Sequence, residues 1–331
     1  MMFRKNPYFE KPNTRKAIKY YRSDENYSRD LHASLYAHMF MEDLHLGIMP
    51  IGGRSTNPNF AVKIEPSSKE IEELMKLGLP THHGEPHDIT EAVCDFIDEV
   101  AHILAYYGKA YYEIVYFYAD ENKQKIDSFR FENIPNHCIK ETFGFYWQYL
   151  PKKIIESNGE NIINRFNWLP KKDILVFCIP RQLGGFRKFK KLLSELQWLS
   201  KCTIPEFVIE DMAVKQQSND YDFSVYRENQ EIFLAKATSK LGWTARRTFM
   251  ERTLEFYQIY RYLKFEKTKA ILREYILHKL NYTLGKIGEK LGFNAKVKTE
   301  GIPSSQDYDN YMAKLIDGSL QFSEVVKLMR L

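Results

Sequence analysis

Cysteine is scarce in this sequence: there are only four among 331 residues, and no two of them form a CxxC pair. Disulfide frameworks and zinc ribbons both need closely and regularly spaced cysteines. The sequence therefore predicts neither of them, and it favours a reducing compartment. The four cysteines are Cys94, Cys138, Cys178 and Cys202.

Long apolar runs are also missing. No stretch of about 18 consecutive apolar residues occurs. The start, Met-Met-Phe-Arg-Lys-Asn, leads into polar sequence without the apolar segment of a signal peptide. We therefore expect neither secretion nor membrane spanning, and no membrane partner.

The sequence lacks the short motifs of several large enzyme classes. It contains no phosphate loop, no GxGxxG turn after a predicted strand and no GxSxG elbow. Phosphate-loop NTPase, dinucleotide-binding and hydrolase-elbow chemistry are therefore unsupported. We expect a protein that is not an enzyme, with no catalytic residues, no cofactor and no bound metal.

One histidine-rich segment is the strongest metal candidate. His82, His83, Glu85 and His87 lie within six residues, and imidazole and carboxylate groups suit zinc. The segment lacks the i, i+4 spacing of a helical zinc site, and the neighbouring prolines and glycine are typical of a loop. We interpret it as a solvated loop, with a metal site as the less favoured alternative.

A second polar cluster would suit a metal-dependent nuclease. Asp120, Glu121 and Lys123 follow a predicted strand, and such enzymes use carboxylates to hold Mg²⁺. Polar residues are expected at the tip of a hairpin in any case, so the turn is the favoured interpretation. The pair His137 and Cys138 has no evident third partner and is interpreted as structural.

Positive charge is concentrated rather than spread. The net charge is +5, but residues 240–290 hold twelve basic and five acidic residues, a surplus of seven, so the remainder carries −2. A second basic cluster has no acidic residue between positions 181 and 191; its members are Arg181, Arg187, Lys188, Lys190 and Lys191.

Two interpretations of these basic segments stay open. Lysine and arginine side chains attract nucleic acid without regard to sequence, because they neutralise phosphates and release counterions. A charge-rich helix can equally be a solvated or oligomer-facing surface. Aromatic residues form 15% of the chain, with 22 Tyr and 22 Phe, which suits extensive interfaces.

The pattern along the chain predicts an α+β fold. Residues 1–88 form a loop-rich N-terminal layer with short helices near 30–41 and 70–77. Residues 89–200 begin with a helix that starts at the Asp88 cap and ends at Gly108. They continue as a hairpin, 109–118 with 126–134, within a meander of about five strands, and close with a helix over 186–199.

The C-terminal part is predicted to be mainly helical. Residues 201–228 contain a short strand pair, 207–209 with 223–226. Residues 229–293 form long helices interrupted near Gly242 and again at Gly285 and Gly288. The last unit, 294–331, holds a strand over 294–299 and helices over 305–317 and 321–330.

Four stretches, in this order, resemble the portal (head-to-tail connector) proteins of tailed bacteriophages. In 104–137 a helix runs through Gly108 into Lys-Ala-Tyr-Tyr-Glu-Ile, and Phe-Glu-Asn-Ile-Pro follows the hairpin. In 173–186 a strand ends at Pro180, and the chain then passes through two glycines into a helix. The stretch 233–281 is similar to the family's tunnel loop and long helix, and 313–327 to its closing motif.

The resemblance implies a portal-like architecture. Residues 89–200 would form a helix-plus-β-meander wing, 201–228 a reduced clip, 229–293 the stem and tunnel helices, and 294–331 a return to the wing. The chain lacks the proline usual after Ala235 and has Phe322-Ser-Glu in place of Asn-Glu. It is also short, so we expect no sizeable crown.

The function implied by the resemblance is a DNA passage. Portal subunits form a ring, usually of twelve copies, at one capsid vertex of the virion, after assembly in the cytoplasm of the host bacterium. Double-stranded DNA is packaged through the ring and later ejected. The expected partners are further copies of the chain, double-stranded DNA, the terminase large subunit, the major capsid protein and a head–tail adaptor.

The resemblance also suggests which residues meet DNA. Lys240, Arg246 and Arg247 flank the break at Gly242, and we expect them to approach the channel. Four members of the second basic cluster form a possible basic surface: Arg187, Lys188, Lys190 and Lys191. Two alternatives remain, a metal-dependent nuclease and a structural or scaffold protein that never contacts DNA.

Overall fold

The structure is a computed structural model that describes residues 12–17, 34–50, 59–80, 86–150, 166–201, 223–246, 255–321 and 323–324. The fold is α+β, as predicted. Its helices are α1 (Leu35–His45), α2 (Lys69–Gly78), α3 (Ile89–Tyr107), α4 (Gly185–Lys201), α5 (Phe223–Thr238), α6 (Glu255–Leu291) and α7 (Ser305–Ile316). Its strands are β1 (Ala61–Glu65), β2 (Lys109–Tyr118), β3 (Ile126–Ile134), β4 (Ile139–Thr142), β5 (Phe145–Tyr149), β6 (Phe166–Leu169), β7 (Ile174–Cys178) and β8 (Lys296–Glu300).

Helix α3 lies in the centre of the main core, and its predicted ends are confirmed. The Asp88 carboxylate accepts a hydrogen bond from the Glu91 backbone N–H at 2.8 Å, which caps the first turn. Gly108 ends the helix with a φ of 73°. A Cβ at this glycine would lie 2.7 Å from the ring of Phe186, so the position requires glycine for space as well as for backbone conformation.

The six described strands between residues 109 and 178 form two separate sheets, so the prediction of one meander is wrong. The first sheet has the order β3-β2-β7, and the second has the order β4-β5-β6. After β3 the chain forms the second sheet. Strand β7 then pairs with β2 in the first sheet, with Lys109 opposite Cys178 and Glu113 opposite Ile174. Strand β4 was not predicted, because its four residues lack an apolar alternation.

An N-terminal segment covers the part of β2 that β7 leaves open. Asn13 bridges to Phe117, and the Thr14 backbone N–H donates to the Tyr116 carbonyl at 3.0 Å. The buried Glu113 carboxylate then accepts hydrogen bonds from the backbone N–H groups of Lys16 and Ala17. Burial raises the pKa of Glu113, and these two bonds act in the opposite direction. The arm over 12–17 is therefore part of the folded unit.

A two-stranded sheet joins distant parts of the chain. Strand β1 pairs antiparallel with β8, from Ala61 with Glu300 to Glu65 with Lys296. The strand near 294–299 was predicted, whereas β1 was missed inside the predicted loop-rich layer. The helix predicted near 70–77 is confirmed by α2.

The predictions for the helical region need two corrections. Residues 223–226 belong to α5 and are not a strand, because the apolar residues there continue into a 16-residue helix. Helix α6 runs for 37 residues without a break at Gly285 or Gly288. A Cβ at Gly288 would lie 2.1 Å from the carbonyl oxygen of Phe293, so this glycine permits close packing instead of interrupting the helix.

Several predictions concern residues outside the described ranges. These are the strand at 207–209, most of the helix at 321–330, most of the reduced clip and three of the four residues of the histidine-rich segment. The predicted channel residue Arg247 also belongs to this group.

The turn between α5 and α6 is built around the buried guanidinium of Arg261. Its nitrogens donate to the Thr238 hydroxyl at 2.7 Å, to the Ala235 carbonyl at 3.0 Å and to the carbonyls of Gly242 and Trp243. A Cβ at Gly242 would lie 2.6 Å from the backbone of α6, so only glycine allows this approach. These contacts fix the C-terminal end of α5 against α6.

The substitution Arg261→Met should destabilise the fold strongly. It keeps much of the apolar stem but leaves buried oxygens at the end of α5 without donors, which costs on the order of 3 kcal/mol. Urea unfolding followed by circular dichroism measures the change. The control Lys286→Met, at an exposed position on the same helix, should change stability by less than about 0.5 kcal/mol. Equal midpoints for the two variants would contradict the role assigned to Arg261.

Candidate nucleic-acid interface

A groove of about 940 Å³ lies between α4, α5 and α6. Basic side chains dominate the charge of its walls, and among the described lining residues Glu195 is the single acidic one. The groove brings together members of the two basic segments that the sequence separates by about 50 residues. The basic residues that line it are Arg181, Lys188, Lys191, Lys236, Lys240 and Lys267.

Helix α4 divides its basic residues between different surfaces. Its apolar face buries Phe189 and four leucines in the core, so the lysines and arginines lie on the remaining circumference. Lys188 and Lys191, three residues apart, line the groove. Lys190 instead lines a smaller pocket of about 480 Å³, and Arg187 is exposed outside both cavities. The predicted basic surface is therefore divided.

The predicted channel residue Lys240 lies in this groove. It is exposed in the turn after α5, and Lys236 on the last turn of α5 lines the same wall. Lys236 was not predicted as a site residue, because it falls just outside the densest basic segment. The i, i+4 spacing of Lys236 and Lys240 was the signal that could have identified it.

The charge of the groove is only partly neutralised. Lys191 pairs with Glu195 at 3.7 Å, and Lys267 pairs with Asp309 at 2.5 Å. The other three lysines make no ion pair with a carboxylate in the described part of the chain: Lys188, Lys236 and Lys240. An anion with several charges could therefore replace water at three ammonium groups without first breaking an ion pair.

Two exposed aromatic side chains add to the same surface. Trp198 is 59% exposed and Phe233 is 52% exposed, and both line the groove. Aromatic rings beside cations can contact sugars or bases while the ammonium groups contact phosphates. The groove thus offers the groups needed to bind a nucleic-acid backbone.

Arg246 makes ion pairs that the sequence did not predict. Its Nε donates to Asp43 Oδ1 at 2.7 Å and its Nη2 donates to Glu42 Oε2 at 2.7 Å. These hydrogen bonds raise the pKa of Arg246, and the bond from Arg246 is the main cause of the lowered pKa of Glu42. The Trp243 Nε1 group also donates to Asp43, at 2.8 Å. Arg246 therefore ties the turn to α1, and it does not line the groove.

The candidate nuclease residues shape a turn. The Asp120 carboxylate accepts from the Gln124 backbone N–H at 3.2 Å, and Glu121 is exposed. His137 and Cys138 lie in one short helical turn, where the buried Cys138 thiol donates to the Pro135 carbonyl at 3.0 Å. Across the ranges that the structure describes, no three His, Cys, Asp or Glu side chains are arranged to hold a metal ion.

None of the described helices combines the length and the hydropathy that crossing a bilayer requires. The sequence matches no protein-family model and no curated protein. The resemblance to portal proteins therefore depends on the order of the sequence stretches quoted above.

Exchanging one lysine of the groove should change how salt affects DNA binding. The variant Lys240→Gln removes an unpaired cation, so the slope of log affinity for duplex DNA against log salt should become shallower by about 0.9 if one phosphate contact is lost. The matched variant Arg246→Gln removes a cation that is already neutralised and should leave this slope unchanged.

Fluorescence anisotropy of a labelled duplex, measured between about 50 and 200 mM salt, gives both slopes. A larger change for Arg246→Gln than for Lys240→Gln would show that the assignment of the groove is wrong. Thermal unfolding of both proteins provides the control for folding, with a loss of at most about 1 kcal/mol expected for Arg246→Gln.

Proposed function

We propose that the chain is a subunit of a portal-like ring that lets double-stranded DNA pass. The observation that carries the proposal is the groove in which both basic segments converge, with Lys188, Lys236 and Lys240 unpaired among the described residues. The order of the sequence stretches that resemble portal proteins supports the same function. In this proposal the groove contacts the DNA backbone as the duplex moves.

The chemistry of the groove suits a passage better than a sequence-specific site. Duplex DNA carries one negative charge per about 1.7 Å of helix axis, so a few lysines meet phosphates at any position. Lysine is a point charge on a flexible stem and lacks the rigid donor fork with which arginine recognises a fixed pair of acceptors. Such contacts attract any sequence equally and let it slide, which is what transport through a ring requires.

Ring assembly would need a heterologous interface that closes by rotation. The described surface has exposed apolar side chains away from the groove, including Phe256 and Ile316, that could contribute to such an interface. In the virion the ring would contact the major capsid protein, a head–tail adaptor and the terminase large subunit. The chain itself would carry out no catalysis and need no cofactor.

The size of the particle tests this proposal. Mass photometry of the purified full chain should show a species with about twelve times the mass of one chain, since a portal ring closes on itself. The measurement is repeated after co-expression with a capsid and scaffold protein, because ring closure can depend on them. Only monomers or dimers under both conditions would contradict the proposal.

A variant separates assembly from DNA contact. The triple substitution Lys188→Gln, Lys191→Gln and Lys240→Gln should leave the mass distribution unchanged and weaken duplex binding. If it abolished the large species, the groove would be an interface between subunits and not a DNA contact.

A further inference from the structure

The second sheet has one buried face and one exposed face. On the buried side Tyr146, Gln148 and Leu169 pack towards β2, where the ring of Tyr111 lies 6.0 Å from that of Tyr146. Side chains on a strand alternate between the two faces of the sheet. The residues of β5 and β6 that alternate with these three buried residues therefore point outwards. We call the outward surface the aromatic face; its rings are those of Phe143, Phe145, Trp147, Tyr149, Phe166 and Trp168.

The rings of the aromatic face are arranged in register. Trp147 lies directly opposite Trp168, and Tyr149 lies opposite Phe166 with ring centroids 5.2 Å apart. Phe143, in the turn between β4 and β5, is 96% exposed. Single exposed aromatic residues are common on proteins, but a contiguous group of this kind marks a binding surface.

Cations lie on the aromatic face at two places. Lys140, opposite Trp147 in the register, has its ammonium group 5.7 Å from the ring centre of Tyr149. Lys16 lies 5.8 Å from the ring centre of Trp168. No strand residue on this face is acidic, because Glu141 lies on the opposite face of the sheet.

The position of Lys16 is set by the fold and is not a chance surface contact. Its backbone N–H donates to the Glu113 carboxylate at 2.7 Å, and the N–H of Ala17 donates to the other oxygen at 2.9 Å. Arg15, one residue earlier, forms an ion pair with Glu132 of β3. These contacts hold the arm at the first sheet and place the lysine over Trp168.

We propose that the aromatic face binds single-stranded nucleic acid. Bases stack on exposed aromatic rings regardless of sequence, and neighbouring cations attract the phosphates. Residues i and i+2 of a strand lie about 6.7 Å apart, whereas the bases of a duplex strand are about 3.4 Å apart. The rings along β5 and β6 therefore match separated bases of an extended single strand, whose faces are free to stack.

Charge disfavours a symmetric contact with a second copy of the chain. In a two-fold pair of identical faces, Lys16 and Lys140 of both copies would lie in the same interface, which would then hold four cations. Such like charges oppose association when both are desolvated. A polyanion complements both cations, so single-stranded nucleic acid is the occupant that the charges favour.

The test uses the full chain and a labelled oligothymidylate. Wild-type protein should bind it in fluorescence anisotropy and lose tryptophan fluorescence on binding. The double variant Trp147→Ala and Trp168→Ala should bind at least about tenfold more weakly, because each ring stacks a base. Both side chains are partly exposed, so the variant should fold, which circular dichroism checks.

Two control variants make the result specific. Tyr282 is also an exposed ring beside a lysine, with Lys286 at 4.3 Å, but it stands alone on α6, so Tyr282→Ala should leave oligothymidylate binding unchanged. The variant of the groove with Lys188, Lys191 and Lys240 replaced by glutamine should keep most of this binding while losing duplex binding. The two surfaces can thus fail independently.

Three outcomes would overturn the proposal. The first is no binding of the oligonucleotide by the wild-type protein. The second is equal binding by wild type and the double tryptophan variant. The third is a variant that changes the mass of the particle but not its oligonucleotide binding, which would show that the face contacts another copy of the chain.

Discussion

The burial of the Arg261 guanidinium is the interaction on which the arrangement of the helices depends. A buried cation must have acceptors, and here the C-terminal end of α5 supplies them as carbonyl oxygens and a hydroxyl. This fixes the turn at Gly242, from which Trp243 and Arg246 reach Asp43 on α1. The contacts of Arg261, Trp243 and Arg246 therefore fix the positions of helices that line the basic groove, although none of these three residues lines it.

The two candidate surfaces differ in the chemistry they offer. The groove presents ammonium groups, of which Lys188, Lys236 and Lys240 have no carboxylate partner in the described ranges, and so it suits the charged backbone of a duplex. The aromatic face presents six rings and few cations, and so it suits exposed bases. One chain could thus distinguish paired from unpaired nucleic acid without recognising a sequence.

Local signals predicted much of the fold, while contacts between distant residues account for the errors. The cap at Asp88, the stop at Gly108 and the β2–β3 hairpin are encoded by neighbouring residues. The return of β7 to β2 was missed, because periodicity does not specify strand partners. Lys240 was singled out from its place beside Gly242, whereas the ion pairs of Arg246 could not be predicted, since their partners lie about 200 residues away.

Electron cryo-microscopy of the assembled particle with duplex DNA would show whether the groove lines the channel. We expect a closed ring in which the ammonium group of Lys240 lies within a Debye length, about 10 Å, of the channel that holds DNA. A ring whose channel is lined by other residues, with the groove facing outwards or buried between subunits, would contradict this expectation.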